Sequence, residues 1–285
     1  MTNKKYIPHA WETVNCPFCN SNKTKLHEKY GCDLQFTYVR CLDCELIYQS
    51  PRPKYDEIFL KDAYADYYMY SDGYTYSEKV LNGWDKELKE ILKFDKNKTA
   101  ILDIGTGMGD FLKVAKKYYD HCDGVDVSEI MADFAQKELG LKVYLGSYPD
   151  LDFGKKYSCI HMSHVLEHIP NPKEWLAKTK EILTDDGVLA MSVPNMNSMD
   201  RRVKLFLKRM GLTSGRWKDI SKTPDHLFEP TIPSTLKFFE ENGFKVLQYY
   251  SYSRKDMDAN TLFGKIYNRT FKFGSNLRFF AIKKQ

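Results

Sequence analysis

Asp103, Gly105, Gly107 and Asp126 are placed to hold a small charged ligand. The run Ile101-Leu-Asp-Ile-Gly-Thr-Gly-Met-Gly-Asp-Phe-Leu112 sets three glycines between an apolar stretch and a helical one. Glycines there let the backbone turn tightly and approach a ligand closely. A dinucleotide fingerprint, Gly-x-Gly-x-x-Gly, needs its third glycine at position 110, where this chain has Asp110. Asp103 stands two residues before the first glycine. Its carboxylate would repel a pyrophosphate and attract an ammonium group. The next strand-like run ends Gly124-Val-Asp126-Val127. A carboxylate at that place can accept hydrogen bonds from both hydroxyls of a ribose. A ligand with a ribose, an ammonium end and no phosphate is S-adenosylmethionine (SAM). The expected SAM wall is therefore Asp103, Gly105, Gly107, Asp126 and Val127.

A second constellation is Cys16-Pro-Phe-Cys19 and Cys41-Leu-Asp-Cys44. Two Cys-x-x-Cys turns on short strands predict a zinc ribbon, with four thiolates around one Zn²⁺. With all four places filled by protein, the metal is expected to be structural. Cys32, Cys122 and Cys159 have no partner at metal spacing and read as packing residues.

His164-Val-Leu-Glu167-His168 matches a zinc-peptidase pattern, His-x-x-Glu-His. That chemistry requires a regular helix presenting both imidazoles. Here the segment leaves an apolar strand and runs into Pro170, which suits a strand-to-helix crossover. Glu167 and His168 then read as structural, and His161 as buried or facing the adjacent helix. His164 lies nearer the strand's C-terminal end, where it could touch cofactor or substrate.

These residues need a scaffold, and the hydrophobic period supplies one. Short apolar runs at 100–104, 122–127, 141–145, 157–163 and 187–193 alternate with helical patterns at 110–119, 128–139 and 173–183. That alternation predicts βαβ units and a parallel sheet covered on both faces. Ser128 is placed to cap one helix and Gly140 to stop it. A leading helix is expected over 77–94, a basic amphipathic one over 197–211, and another over 234–242. Strands over 244–252 and 277–283 close the chain. The expected division is a zinc ribbon at 10–50, a connector rich in tyrosine plus the leading helix at 51–97, and an α/β domain at 98–285. The ribbon and the α/β domain are expected to have separate cores.

The 285 residues are 42% hydrophobic and 28% charged, ordinary values for a chain with a real core. No apolar run approaches the ~18 residues of a membrane span, and no signal peptide is visible. A cytoplasmic location is expected. Residues 1–200 carry 25 basic and 31 acidic side chains, whereas residues 201–285 carry 18 and 7. The basic last third, including Arg201, Arg202, Lys204, Lys208, Arg209, Arg216, Lys218 and Lys222, suits an anionic partner.

From about 98 to 194 the chain resembles the class I, Rossmann-like SAM-dependent methyltransferases. Asp103-x-Gly105-x-Gly107-x-Gly109 matches their first motif. Tyr157 to Pro172, Gly187 to Asn195, and Asp225-His226-Leu-Phe-Glu-Pro230 are similar to segments of the ubiquinone-biosynthesis-like branch. The N-terminal cysteine module followed by Pro51-Arg52-Pro53 resembles bacterial members of that branch. The resemblance implies a doubly wound, mostly parallel seven-stranded sheet with a basic lid at about 197–232. Where the family usually ends its third strand in an acid or amide that meets the adenine amino group, this chain has Gly146-Ser147, and Ser147 or its backbone, with Tyr148 stacking, is expected to serve instead. The late segment covers the active site in that branch, which makes His226 the candidate base for a hydroxyl acceptor, oriented by Asp225 or Glu229. The expected activity is SAM-dependent O-methylation of a sugar, nucleotide-sugar or other phosphate-bearing glycan precursor. Alternatives are a nucleotide-sugar C-methyltransferase, an RNA methyltransferase and a non-catalytic SAM-binding protein. Nucleic acid is disfavoured, because no Asn-Pro-Pro-Tyr-type motif is present and no basic cluster flanks the cysteine turns.

Overall fold

A computed structural model describes residues 8–30, 36–58, 75–195, 198, 202–203, 206–207, 210–212, 226–252 and 274–284. Cys32, the tyrosines from 64 to 74, Asp225 and all of the basic lid residues except Arg202 lie outside that set. Of the expected 197–211 helix, residues 202–203 and 206–207 are helical.

Seven strands form the main sheet. They are β6 (Ala100–Ile104), β7 (His121–Asp126), β8 (Lys142–Leu145), β9 (Tyr157–Ser163), β10 (Leu183–Pro194), β12 (Phe244–Tyr252) and β13 (Asn276–Lys283), in the order β12-β13-β10-β9-β6-β7-β8. Only β13 runs antiparallel to its neighbours. The chain order reverses between β6 and β9, which opens a crevice at their C-terminal ends. All of β6 and nearly all of β9 are buried, as apolar strands covered on both faces must be.

Helices α1 (Glu78–Ile91), α2 (Asp110–Ala115), α3 (Glu129–Leu139), α4 (Pro172–Ile182) and α5 (Ile232–Glu241) flank the sheet. The Ser128 hydroxyl accepts from the Met131 N–H and Gly140 ends α3 at φ +61°, as the sequence predicts. Several boundaries differ from expectation: α1 ends at Ile91, three residues early, and α5 starts at Ile232, two residues early. Helix α2 stops at Ala115 and passes into turns, and β10 starts four residues earlier, with an irregularity between Leu183 and Val188.

The N-terminal module contains β1 (Trp11–Glu12), β2 (Thr24–Tyr30), β3 (Phe36–Cys41), β4 (Ile47–Gln49) and β5 (Arg52–Pro53). Strands β2, β3 and β4 form an antiparallel sheet, and β11 (Phe228–Glu229), from the far side of the α/β domain, joins it beside β4. The separate cores expected for the two units are not found. Phe18, Leu46 and Tyr48 belong to the same buried cluster as Ile104, Ile160, Leu189 and Phe279. Phe18 stacks on Phe238 of α5 at 4.0 Å and meets Phe228 edge-on at 5.2 Å. A short ribbon has too little apolar surface to stand alone and borrows it from the larger sheet. Among the described residues no helix is long and apolar enough to cross a membrane.

Phe18→Ala should cost ~3–5 kcal/mol, the usual range for a buried phenylalanine. Urea unfolding followed by circular dichroism and by exposure of the four thiols should show both transitions moving together. Distinct midpoints would reveal two independent units.

Candidate functional site

The crevice between the ends of β6 and β9 is a cavity of about 710 Å³. That lies within the range of pockets that enclose a cofactor-sized ligand. Gly105, Gly107, Asp126, Val127, Ser147 and His164, all expected site residues, line it. The connector contributes Tyr55, and the start of α4 contributes Asn171, Glu174 and Trp175. Gly105 has φ +72°, and a Cβ there would stand 2.5 Å from Val165 Cγ2, on the opposite wall. Asp126 Oδ2 accepts from the Gly107 N–H at 2.8 Å, and Oδ1 accepts from the Ser128 N–H at 2.9 Å. Its carboxylate thus ties the loop to the end of β7. Burial pushes the Asp126 carboxyl above its usual range, and the two N–H donors oppose that shift.

Two expected cofactor residues do not line the cavity. Tyr148 is fully buried against Phe153 and Trp175, with its hydroxyl 3.1 Å from Thr179 Oγ1. The 3-10 turn Tyr148–Asp150 directs that ring into the core and presents Pro149 and Asp150 to the cavity instead. Asp103 sits beneath the glycine loop with Oδ1 2.7 Å from His161 Nδ1. His161 Nε2 lies 3.3 Å from Glu87 Oε1, and Glu87 Oε2 pairs with Arg278 at 2.5 Å. All four groups are buried. Burial alone would depress the His161 imidazole, but Asp103 and Glu87 lift it to about 9. Phe111 of α2 stacks on the same ring at 3.7 Å. Sequence reasoning missed Glu87 and Arg278; an acid beside the apolar residues of an amphipathic helix was the available signal.

Two histidines, His164 and His168, line the cavity, and His226 lies behind His168. His164 follows β9 in a left-handed conformation, φ +56°, and its Nδ1 lies 3.2 Å from Glu167 Oε1. Non-glycine residues in that region concentrate at functional sites. Leu166–His168 is a 3-10 turn, so the peptidase geometry is absent. Glu167 is fully buried, as expected for a structural group, whereas His168 lines the cavity. His226 does not line it. Its ring meets that of His168 edge-on at 4.8 Å, and Glu229 Oε1 lies 2.9 Å from its Nδ1. Glu229 is one of the two residues expected to orient His226; the other, Asp225, is outside the described residues.

Among the described residues two groups bring ligand-type atoms within 4.8 Å of one another: Cys16, Cys19, Cys41 and Cys44, and Glu167, His168 and His226. The four thiols fit zinc. Cys16 and Cys44 sulfurs are 3.4 Å apart and Cys19 and Cys41 sulfurs 3.5 Å, close to the ~3.8 Å edge of a ZnS₄ tetrahedron with ~2.3 Å bonds. Each turn ends in a left-handed residue, Asn20 or Glu45. The thiols are shifted unequally. Against burial, the backbone N–H groups of Cys44 and Asp43 pull Cys41 below its usual range. Burial pushes Cys19 up to about 11, and the hydrogen bond with Cys16, together with burial, pushes Cys44 up, so the fit to zinc rests on the sulfur geometry.

Comparison with known proteins agrees with this geometry. A family profile described as a methyltransferase domain matches residues 76–249. A ubiquinone biosynthesis O-methyltransferase of Ruegeria sp. is 22% identical over 198 residues, covering 65% of this chain and 79% of that protein. An uncharacterized protein of Methanocaldococcus jannaschii is 28% identical over 145 residues, which is 47% of this chain; the match spans only 56% of that protein's length. The magnesium protoporphyrin IX methyltransferase of Synechocystis PCC 6803, solved with bound SAH, has a TM-score of 0.53 at 16% identity, covering 80% of this chain and all of that one. The structural likeness establishes the expected doubly wound α/β fold.

The buried His161 gives a pH test. Its folded value, about 9, lies above the ordinary 6.5, so its contribution is complete below pH 6.5 and is lost as pH rises through 9. The shift corresponds to about 3 kcal/mol. Urea unfolding at pH 6 and pH 9.5 should show that loss in the parent protein. His161→Gln should be less stable at pH 6 and should lose much less stability on going to pH 9.5.

Proposed function

Because the chain belongs to the methyltransferase-domain family, we propose that it transfers the methyl group of SAM to a small, anionic acceptor. The observation that carries this reading is Asp126 at the rim of the switch-point cavity, clamped by the glycine loop and open to a ribose. Each carboxylate oxygen takes one backbone N–H and keeps a lone pair for a ribose hydroxyl. Gly105 and Gly107 admit the methionine end, Val127 covers the adenosine, and Ser147 with Asp150 faces the adenine. Asp103 acts through the loop's charge environment and not by lining the wall.

The sulfonium needs no activation by the protein. The acceptor must be held in line with the methyl–sulfur bond at ~3–3.5 Å. His164 stands on the cofactor side, and His168 with His226 on the acceptor side. His226, oriented by Glu229, takes the proton of an acceptor hydroxyl by way of His168, the neighbour that lines the cavity. The Ruegeria relative is an O-methyltransferase, which supports oxygen as the acceptor atom. The 18 basic against 7 acidic residues after position 200 favour a phosphate-bearing acceptor such as a nucleotide-sugar or other glycan precursor, handled in the cytoplasm. Cys16, Cys19, Cys41 and Cys44 hold a structural zinc.

Two tests separate cofactor from acceptor chemistry. Asp126→Ala should weaken SAM binding in calorimetry by a few kcal/mol, since charge-assisted hydrogen bonds contribute roughly 1.5–3 kcal/mol each. No heat of SAM binding by the parent protein would refute the proposal. With an acceptor found by screening nucleotide-sugars, free sugars and RNA, His226→Ala should leave SAM affinity unchanged and lower turnover ~10²–10⁴-fold. The residual rate should then gain little between about pH 6 and 8, across which a histidine base normally titrates. His164→Ala should instead change SAM affinity. Loss of turnover at saturating SAM in His164→Ala alone would assign the base to the other histidine.

A further inference from the structure

The segment bearing His226 is held by the cysteine module. The Tyr38 hydroxyl donates to the carbonyl oxygen of His226 at 2.9 Å, and Gln49 Nε2 donates to the same oxygen at 2.7 Å. A carbonyl has two lone pairs, and here both are taken from one side. The Gln49 backbone N–H donates to the Leu227 carbonyl at 2.9 Å, and the Leu227 N–H donates to the Glu167 carbonyl at 2.8 Å. His226 is thus suspended between the module and the turn that carries His168.

Glu229 is held in the same way. It lies in the two-residue strand β11, opposite Ile47 of β4. So short a strand has no pairing of its own and exists as an addition to the module's edge. Just beyond it, Thr231 Oγ1 lies 3.5 Å from the Glu45 carbonyl, and Lys237 Nζ lies 3.1 Å from the Asp43 carbonyl. Asp43 and Glu45 flank Cys44, a zinc ligand in the reading above. A metal that fixes this turn therefore also fixes the frame of the imidazole and of the carboxylate that orients it.

We propose that Tyr38 and Gln49 are positioning residues for His226, and that the metal-loaded cysteine module is the frame that holds the segment bearing it. The catalytic meaning of this placement rests on the reading of His226 as the acceptor-side base; the placement itself does not. The test uses full-length, zinc-loaded protein labelled with ¹⁵N-histidine, with the His226 ring signal assigned by its loss in His226→Ala. In Tyr38→Phe/Gln49→Leu, and in the parent after zinc is withdrawn by a chelator, the His226 signal should shift and broaden while that of exposed His121 stays in place. SAM affinity should remain within about twofold, as for sites without shared partners. Should the double variant fail to fold, Tyr38→Phe, which removes one hydroxyl, carries the test. An unchanged His226 signal in the variants overturns the positioning role, and an unchanged signal on zinc withdrawal overturns the metal's part in it. If His226→Ala keeps full turnover, the catalytic reading fails, and the ring signal still decides the placement.

Discussion

Two carboxylates and two cations are sealed beneath the glycine loop, and the loop's position depends on them. Glu87 comes from α1, Asp103 from β6, His161 from β9 and Arg278 from β13. A buried charge without its partner costs several kcal/mol, so these four elements must arrive together. The consequence reaches the site in two steps. Phe111 stacks on the His161 ring and so anchors α2, the helix that the glycine loop starts. Pairing with His161 also occupies Asp103, which leaves Asp126 as the acid that faces the cavity from the loop region.

Two sheets converge near the cavity, and the main sheet with its loops lines it. The main sheet supplies the switch point, with Gly105, Gly107 and Asp126 on the cavity wall. The ribbon's sheet, extended by β11, holds His226 beside His168. The shared aromatic packing of Phe18, Phe228 and Phe238 makes this a single structure; a module attached by a linker would not build the site in this way. That packing also explains why so small a ribbon is stable: its four sulfurs close one end, and the larger domain covers its apolar face.

Much of the fold was legible because its signals are local. The strand–helix alternation, the Ser128 cap and the Gly140 stop each depend on a few neighbouring residues, and each appears where expected. The paired cysteine turns are equally local, and their sulfurs converge. Tyr148 shows the limit. Its place after β8 suited a stacking ring, but Tyr148 opens a 3-10 turn that sends the ring into the core. His168 shows the reverse case, a residue read as structural that the turn delivers to the cavity.

The sequence by itself determined the glycine loop, the acid at the end of β7, the four metal-type cysteines and the alternation of strands and helices, because spacing along the chain sets each of them. Only the tertiary structure decided which charges pair and which histidines meet. Tyr38 and Gln49 lie 188 and 177 residues from His226, and Glu87 lies 191 residues before Arg278. No periodicity links positions so far apart. Their contacts follow from the need to satisfy buried donors, acceptors and charges once the sheets have packed, a condition that acts on the folded chain as a whole.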